Sequence, residues 1–265
     1  MKYKENFLNV IEYVKDEVPD SFYAGTLYVV DEEVYRNTVK KCDNSFAVYR
    51  DTTRIQGDYP EGVKYILEGE GAFDPGDYGM DYLEKVYRRL NKIPWVILET
   101  DRCLVRETCK DDLDSFYEIY SWEGMTDHIE PLMERSEEEK YTDNYRDLIY
   151  EIYGHGIWTV VLKESGEIIG RAGLDERAGS DIPELGFVIG KKWQGNGFAY
   201  EVCSAILKWA KAEGMTEVMS FSDKDNHPSI SLLLKLGFTL QKEAEGTGEC
   251  RVFLSRLPGS LFRRL

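Results

Sequence analysis

The chain has 265 residues, 42% of them hydrophobic and 31% charged, with a formal net charge of -16. That balance supports one large folded domain or two small ones and excludes a chain too polar to bury a core. No apolar run reaches membrane-spanning length, no basic stripe suited to nucleic acid is visible, and the five cysteines (Cys42, Cys103, Cys109, Cys203, Cys250) include no C-x-x-C pair, which argues against a zinc site and a disulfide framework.

The first 95 residues read as a small α/β unit. Phe7, Leu8, Val10, Ile11 and Val14 recur at helical spacing and predict an opening helix. Because this start is amphipathic and contains acids, it is unlike a secretion signal, and a reducing cytoplasm is the expected home. Thr26–Val30 is a β-branched, apolar strand, and Asp31 is placed to cap a helix running to about Lys40. Ser45–Tyr49 and Val63–Leu67 read as further strands. Glu70–Gly79, rich in Gly, Asp and Pro, is a loop, and Met80–Leu90 is a helix that Pro94 ends. Strands alternating with helices imply a short, mostly parallel, Rossmann-like sheet. Asp31 is followed by Glu-Glu-Val, so the phosphatase pattern Asp-x-Asp-x-Thr is missing. The unit reads as a non-catalytic docking, dimerisation or substrate-shaping domain.

Ile93–Asp101 is the join, giving expected domains at 1–95 and 96–265. Beyond it, Cys103–Glu107 reads as a strand, Lys110–Trp122 as an amphipathic helix, and Ser136–Tyr153 as a strongly acidic second helix. Ile157–Lys163 and Glu167–Leu174 are strands joined by a Ser165-Gly166 turn. Glu184–Gly190 is a strand that feeds a glycine-bearing turn and a helix over Gly197–Glu213. Glu217–Ser222, Pro228–Leu236, Phe238–Ala244 and Cys250–Leu257 follow as strand, helix, strand and strand. Most of the acidity is local: residues 111–151 carry 14 acidic and 3 basic groups, net -11. The simplest reading is a pair of solvated helix faces; the alternative is a charged mouth for a cationic ligand.

Two motifs carry chemistry. In Gln194-Gly195-Asn196-Gly197-Phe198-Ala199, two glycines precede a helix, so unpaired amides and the helix-end polarity can face a phosphate. Lys191 and Lys192 stand beside it, as added charge or as solvated lysines. The second motif is Asn226-His-Pro-Ser229, then Lys235-Leu-Gly237-Phe238. In this order and setting they resemble the GNAT N-acetyltransferase superfamily, nearest its ribosomal-protein alanine N-acetyltransferase-like branch, over roughly residues 96–257.

The resemblance implies an α/β (α+β) fold with a mixed, splayed central sheet flanked by helices, and acetyl-CoA as co-substrate with no metal. It implies a cofactor cradle of Phe187, Val188, Ile189, Gln194, Gly195, Asn196, Gly197, Phe198, Ala199 and Asn226, with Gly190 where the strand breaks away. The backbone N–H near Val188 would polarise the thioester carbonyl. Glu184 takes the place of the general base and Ser229 that of the acid near the departing sulfur; the bland alternatives are a solvated strand-start residue and a helix cap. The last helix lacks the tyrosine acid of many relatives. The implied acceptor is a small-molecule or peptide amine, such as a polyamine, an aminoglycoside or a peptide end, with a monomer or homodimer as the assembly. Two rivals remain: a non-catalytic acyl-CoA sensor and a transferase using a longer acyl chain. His128, His155 and His227 read as surface or loop residues, and Tyr117, Tyr120, Tyr141, Tyr145, Tyr150, Tyr153 and Trp122 mostly as core.

Overall fold

The computed structural model describes residues 8–16, 23–38, 46–177, 179–243 and 250–256. Phe7, Lys40, Cys42, Ser45, Ala244 and Leu257, which the sequence reading used, lie outside these residues. The chain divides into two compact units, Met1–Trp95 and Val96–Leu265.

In the first unit, strands β1 (Val10–Val14), β2 (Thr26–Asp31), β3 (Phe46–Asp51) and β4 (Ile66–Gly69) pair in parallel and in chain order. The helix expected at the start is therefore strand β1. Val10, Glu12 and Val14 share one side of this strand and Ile11 and Tyr13 the other, so pairing along Thr26–Val30 overrides the helical spacing. Helix α1 (Glu32–Thr38) begins after Asp31, whose Oδ1 accepts from Glu33 N at 2.9 Å. Helix α2 (Met80–Leu90) buries Leu83, Val86, Tyr87 and Leu90. It stops at Asn91, and Lys92 takes φ 57°, so the chain has turned before Pro94. The sheet separates two apolar clusters: Leu27, Val29, Ala47, Tyr49 and Leu67 pack with α2, and Tyr28, Val30, Phe46 and Val48 with Val34 and Tyr35 of α1.

The second unit is built on an eight-stranded sheet, in the order β11-β12-β10-β9-β8-β7-β6-β5. Its strands are β5 (Val96–Glu99), β6 (Cys103–Arg106), β7 (Ile157–Leu162), β8 (Ile168–Asp175), β9 (Glu184–Ile189), β10 (Glu217–Asp223), β11 (Thr239–Glu243) and β12 (Cys250–Arg256). The expected join thus contributes an edge strand, β5. All pairings are antiparallel except β9–β10. Helix α3 (Leu113–Ser121) follows a short 3-10 turn at Lys110–Asp112. The acidic helix is α4 (Arg135–Asn144), a π turn over Tyr145–Ile149, and α5 (Tyr150–Tyr153). Helix α6 (Phe198–Ala212) buries Val202, Cys203, Ile206 and Ala210 at three- and four-residue spacing against Trp158, Ile169, Leu185 and Val218 of the sheet. Helix α7 (His227–Lys235) adds Ile230 and Leu233 to this core.

Candidate active site

The site begins where two parallel strands part. β9 and β10 pair only at Met219 and Glu184, with Met219 N donating to Pro183 O at 2.9 Å. Ser220 Oγ then closes on Leu185 O at 2.9 Å, and beyond it the strands diverge. The parting therefore lies at the Glu184 end, not at Gly190; Gly190 still donates to Ile169 O of β8 at 2.8 Å. Strand alternation decides which amides face the gap. Leu185, Phe187 and Ile189 face β10, whereas Glu184, Gly186 and Val188 pair with Asp175, Gly173 and Arg171 of β8. The gap-facing amides beside Val188 are thus those of Phe187 and Ile189, and Val188 itself is turned to β8. Ile189 O is taken by Gln194 Nε2 at 2.8 Å.

The glycine loop sits at the far end of β9. Gly195 and Gly197 adopt φ 75° and 80°, a conformation that costs any residue with a Cβ. Gly197 is the N-cap of α6. The amides of residues 195–200 meet no protein acceptor among the described residues, as a phosphate cradle at a helix start requires. The loop is held from behind. Asn196 Nδ2 donates to Trp193 O and Gln194 O, Arg102 Nη1 donates to Asn196 O at 3.0 Å, and the guanidinium of Arg102 lies 4.1 Å from the Phe198 ring centroid. Arg102 is fixed by Glu201, whose Oε2 accepts from Nε at 2.6 Å. Burial raises the Glu201 proton affinity, but hydrogen bonds from Thr100 and Arg102 outweigh it and hold the carboxyl below the ordinary glutamate value. Lys192 is ion-paired with Glu167 at 3.0 Å, and Lys191 Nζ donates to Glu123 O at 2.8 Å.

At the splay end lies a cavity of about 670 Å³. Glu184, Gly186, Phe187 and Val188 of β9 line it, with Asn226 and Ser229 of α7. Asn226 Oδ1 accepts from Ser229 N at 3.2 Å, so the cap of α7 is Asn226 and Ser229 is the capped residue. The Ser229 Oγ makes no protein hydrogen bond among the described residues. Glu184 Oε2 accepts from Arg177 Nη1 at 2.8 Å.

The remaining wall comes from α3, the following loop and the acidic helix. Tyr145 and Tyr150 are five residues apart, and the π turn brings both to one residue. Ile157 N donates to Tyr145 Oη at 3.0 Å, and Tyr150 Oη donates to Ile157 O. Tyr145 also donates to Asp175 Oδ1 at 2.7 Å; burial, then the Asp175 charge, raise its proton affinity and keep it a donor. Arg171 Nε donates to Tyr120 Oη at 2.8 Å.

Part of the acidic segment is neutralised within the fold. Asp112 is buried in a two-point pair with Arg106, at 2.6 and 2.7 Å, Arg135 pairs with Glu139 at 2.8 Å, and Arg146 pairs with Asp143 and Asp147. Glu130 and Glu138 line the cavity, joined there by Asp175, Glu184 and Asp223. The segment therefore supplies both helix surface and part of the cavity lining. His128 also lines the cavity, its Nδ1 3.1 Å from Asp223 Oδ2. His155 is buried, with Nδ1 3.0 Å from Leu174 O and Nε2 3.1 Å from Glu176, and His227 is exposed. Arg171, His128 and Asp175 carried no motif in the sequence; only their register and the loop's path bring them here. Among the described residues, no group of three or more His, Cys, Asp or Glu is arranged to hold a metal, and no helix is long and apolar enough to cross a membrane.

A splayed parallel strand pair, a glycine turn at a helix start and a cavity between them define an acyltransferase of the GNAT type. The chain belongs to that family: the acetyltransferase (GNAT) domain matches residues 102–239, just over half its length. The uncharacterized N-acetyltransferase YoaA of Bacillus subtilis (strain 168) is 30% identical over 152 residues, 56% of this chain and 84% of that protein. In fold, the chain is similar to an acetyltransferase from Agrobacterium tumefaciens C58 (TM-score 0.53, 22% identity, covering 60% of this chain and 93% of that one). It is likewise similar to RimL, a ribosomal L7/L12 alpha-N-protein acetyltransferase in complex with coenzyme A (TM-score 0.52, 12% identity, 61% and 98%).

Proposed function

We propose that this enzyme transfers an acetyl group from acetyl-CoA to a primary amine that enters the acidic cavity as a cation. The observation that carries this reading is the continuity of the site. The free amides of residues 195–200, the gap-facing edge of Phe187 and Ile189, and the carboxylate-lined cavity follow one another along β9. In the ribosomal-protein branch the acceptor would be a protein N-terminus. The cavity chemistry supports equally a small cationic amine.

Acetyl-CoA, when bound, supplies an activated thioester carbonyl. The chain's residues would act around it as follows. Gly195, Gly197 and the start of α6 offer amides to the pyrophosphate, with Gln194, Asn196, Phe198 and Ala199 shaping that turn. The Ile189 N–H, nearer the glycine loop, would meet the pantetheine arm, and the Phe187 N–H, nearer Glu184, would stabilise a developing oxyanion. Asn226 holds the start of α7 and so positions Ser229. Glu184 takes a proton from the acceptor ammonium, and the Ser229 hydroxyl is the nearest candidate to protonate the departing sulfur. The N-terminal unit fits a non-catalytic role. Its strand-end acids serve the fold, Asp31 accepting from Tyr13 Oη and Asp51 from Thr53 and Gly71.

Thiol release from acetyl-CoA, measured across a panel of amines, tests the reading. Release with a cationic amine is expected, with a KM that rises as salt screens the cavity. Tight CoA binding without release from any amine would replace the enzyme with the sensor alternative.

A further inference from the structure

The acidic cavity contains one guanidinium that no carboxylate answers. Arg171 is half-buried on β8, with its Cζ 5.0 Å from the Tyr120 ring centroid and 5.5 Å from that of Phe116. Its Nε is bonded to the neutral Tyr120 hydroxyl, and no carboxylate of the described residues lies within 4.0 Å of its nitrogens. The two Nη groups of Arg171 stay open to the solvent of the cavity with no protein partner among the described residues, so they are available to an incoming anion. Yet acids are close. Glu138 is only 5% exposed, and Asp175 and Glu184 stand directly opposite each other on β8 and β9. Burial, Asp175 and Glu138 raise the proton affinity of the Tyr141 hydroxyl while Arg171 lowers it, so all three charges act on one chamber. Arg171 and Asp175 are four residues apart on one strand, about 13 Å between Cα atoms. Gly186 lies between Glu184 and Val188 on the cavity wall and contributes no side chain to fill the interval.

A cation with no carboxylate partner shares this chamber with a group of acids it does not reach. Of these, Glu184 is ion-paired to Arg177, while Asp175 and Glu138 meet only neutral donors. That separation of charge is the complement of a zwitterion. We propose that the acceptor is a free amino acid or a close analogue. Its carboxylate is taken by Arg171, and its ammonium is drawn to the end lined by Asp175, Glu184 and Glu138. This rests on the amine-acetylation reading above and narrows it, since a polyamine would set like charge against Arg171. The chemistry balances. The N–C bond forms as the C–S bond breaks, and of the two protons the ammonium loses, one leaves through Glu184 to solvent and one ends on the thiol. A guanidinium suits a carboxylate because its remaining N–H groups can meet both oxygens.

The test uses the whole chain and matched pairs that differ only in the carboxylate: lysine with cadaverine, and phenylalanine with phenethylamine. Turnover is read as thiol release from acetyl-CoA, and binding by calorimetry in the presence of CoA. The amino acid of at least one pair should exceed its partner amine by about tenfold or more in kcat/KM and in affinity. Arg171→Gln should level the pair while CoA affinity stays unchanged, and Arg171→Lys should keep part of the preference; circular dichroism checks that both fold. Amines that equal or outdo the amino acids, a preference unchanged in folded Arg171→Gln, or no binding by either member of any pair would each overturn the proposal. If no amine releases thiol, the acetyl-transfer reading falls, while the calorimetric ratio still upholds or overturns the zwitterion site.

Discussion

The two ends of β9 are built from different material. At the Gly195–Gly197 end the working surface is backbone: amides at a helix start, exposed because two residues turn with positive φ. Side chains there, Arg102, Glu201, Gln194 and Asn196, stand behind the loop and brace it. At the Glu184 end the working surface is side chains drawn from α3, the loop after it, α4, β8, β9 and α7. A backbone surface fits a ligand part that never changes, and its sequence requirement is a few glycines. A side-chain surface can fit any acceptor, and each of its residues is free to differ.

The contrast can be broken by variants that should act on one end alone. The largest effect is expected for Glu184→Gln. If this carboxylate is the base, kcat falls by about 100-fold or more and the acid limb of the pH–rate profile disappears, with the acetyl-CoA Kd unchanged. An unchanged profile would move the base elsewhere, with Asp175, its cross-strand partner, the first alternative. Next is Gly197→Ala. A Cβ there meets nothing closer than Arg102 Nη2 at 3.7 Å, so its cost comes from φ 80° alone. That is ~1–2 kcal/mol, or about tenfold in acetyl-CoA affinity, with the acceptor KM untouched. Titration of acetyl-CoA against both proteins checks it, and a change confined to the acceptor would erase the division.

The smallest effect is one of pH. Glu201 has a folded-state value below the ordinary one, so its contribution is fully present above the ordinary glutamate value and is lost as pH falls through the folded value. The wild-type melting temperature should therefore drop on acidification by about 2 °C more than that of Glu201→Gln, as calorimetric scans at neutral and acid pH would show. Equal drops would mean that the brace behind the loop contributes nothing.

The same division explains what the sequence disclosed. Residues 194–199 are contiguous, and their glycines have one physical use, so the loop, α6 and the strand before it are legible at once. The cavity is not contiguous. Arg171 reads as one more charged residue in a strand, and it becomes a site residue only through the register that sets it opposite Val188. His128 reads as a loop histidine until the loop after α3 brings it to Asp223. Which amide near Val188 faces the gap is hidden in the sequence because strand parity depends on the pairing with β8. In the first unit, apolar residues at positions 8, 10, 11 and 14 satisfy a helix as well as a strand, and only the edge of β2 decides between them.

The π turn has a consequence for how such a chamber changes over time. One extra residue in a turn lets Tyr145 and Tyr150 grip the N–H and the C=O of Ile157, so the helix fixes where β7 starts. The next contact is unyielding too: Gly156 O receives Leu174 N at 3.0 Å, and a Cβ on Gly173 would come within 1.9 Å of that oxygen. Wall and floor are therefore one frame. A residue gained or lost in the helix would be felt at once across the sheet, whereas exchange of Tyr141, Glu138 or Arg171 would leave the frame intact. A change of acceptor is therefore expected to come from repainting the room rather than from moving its walls.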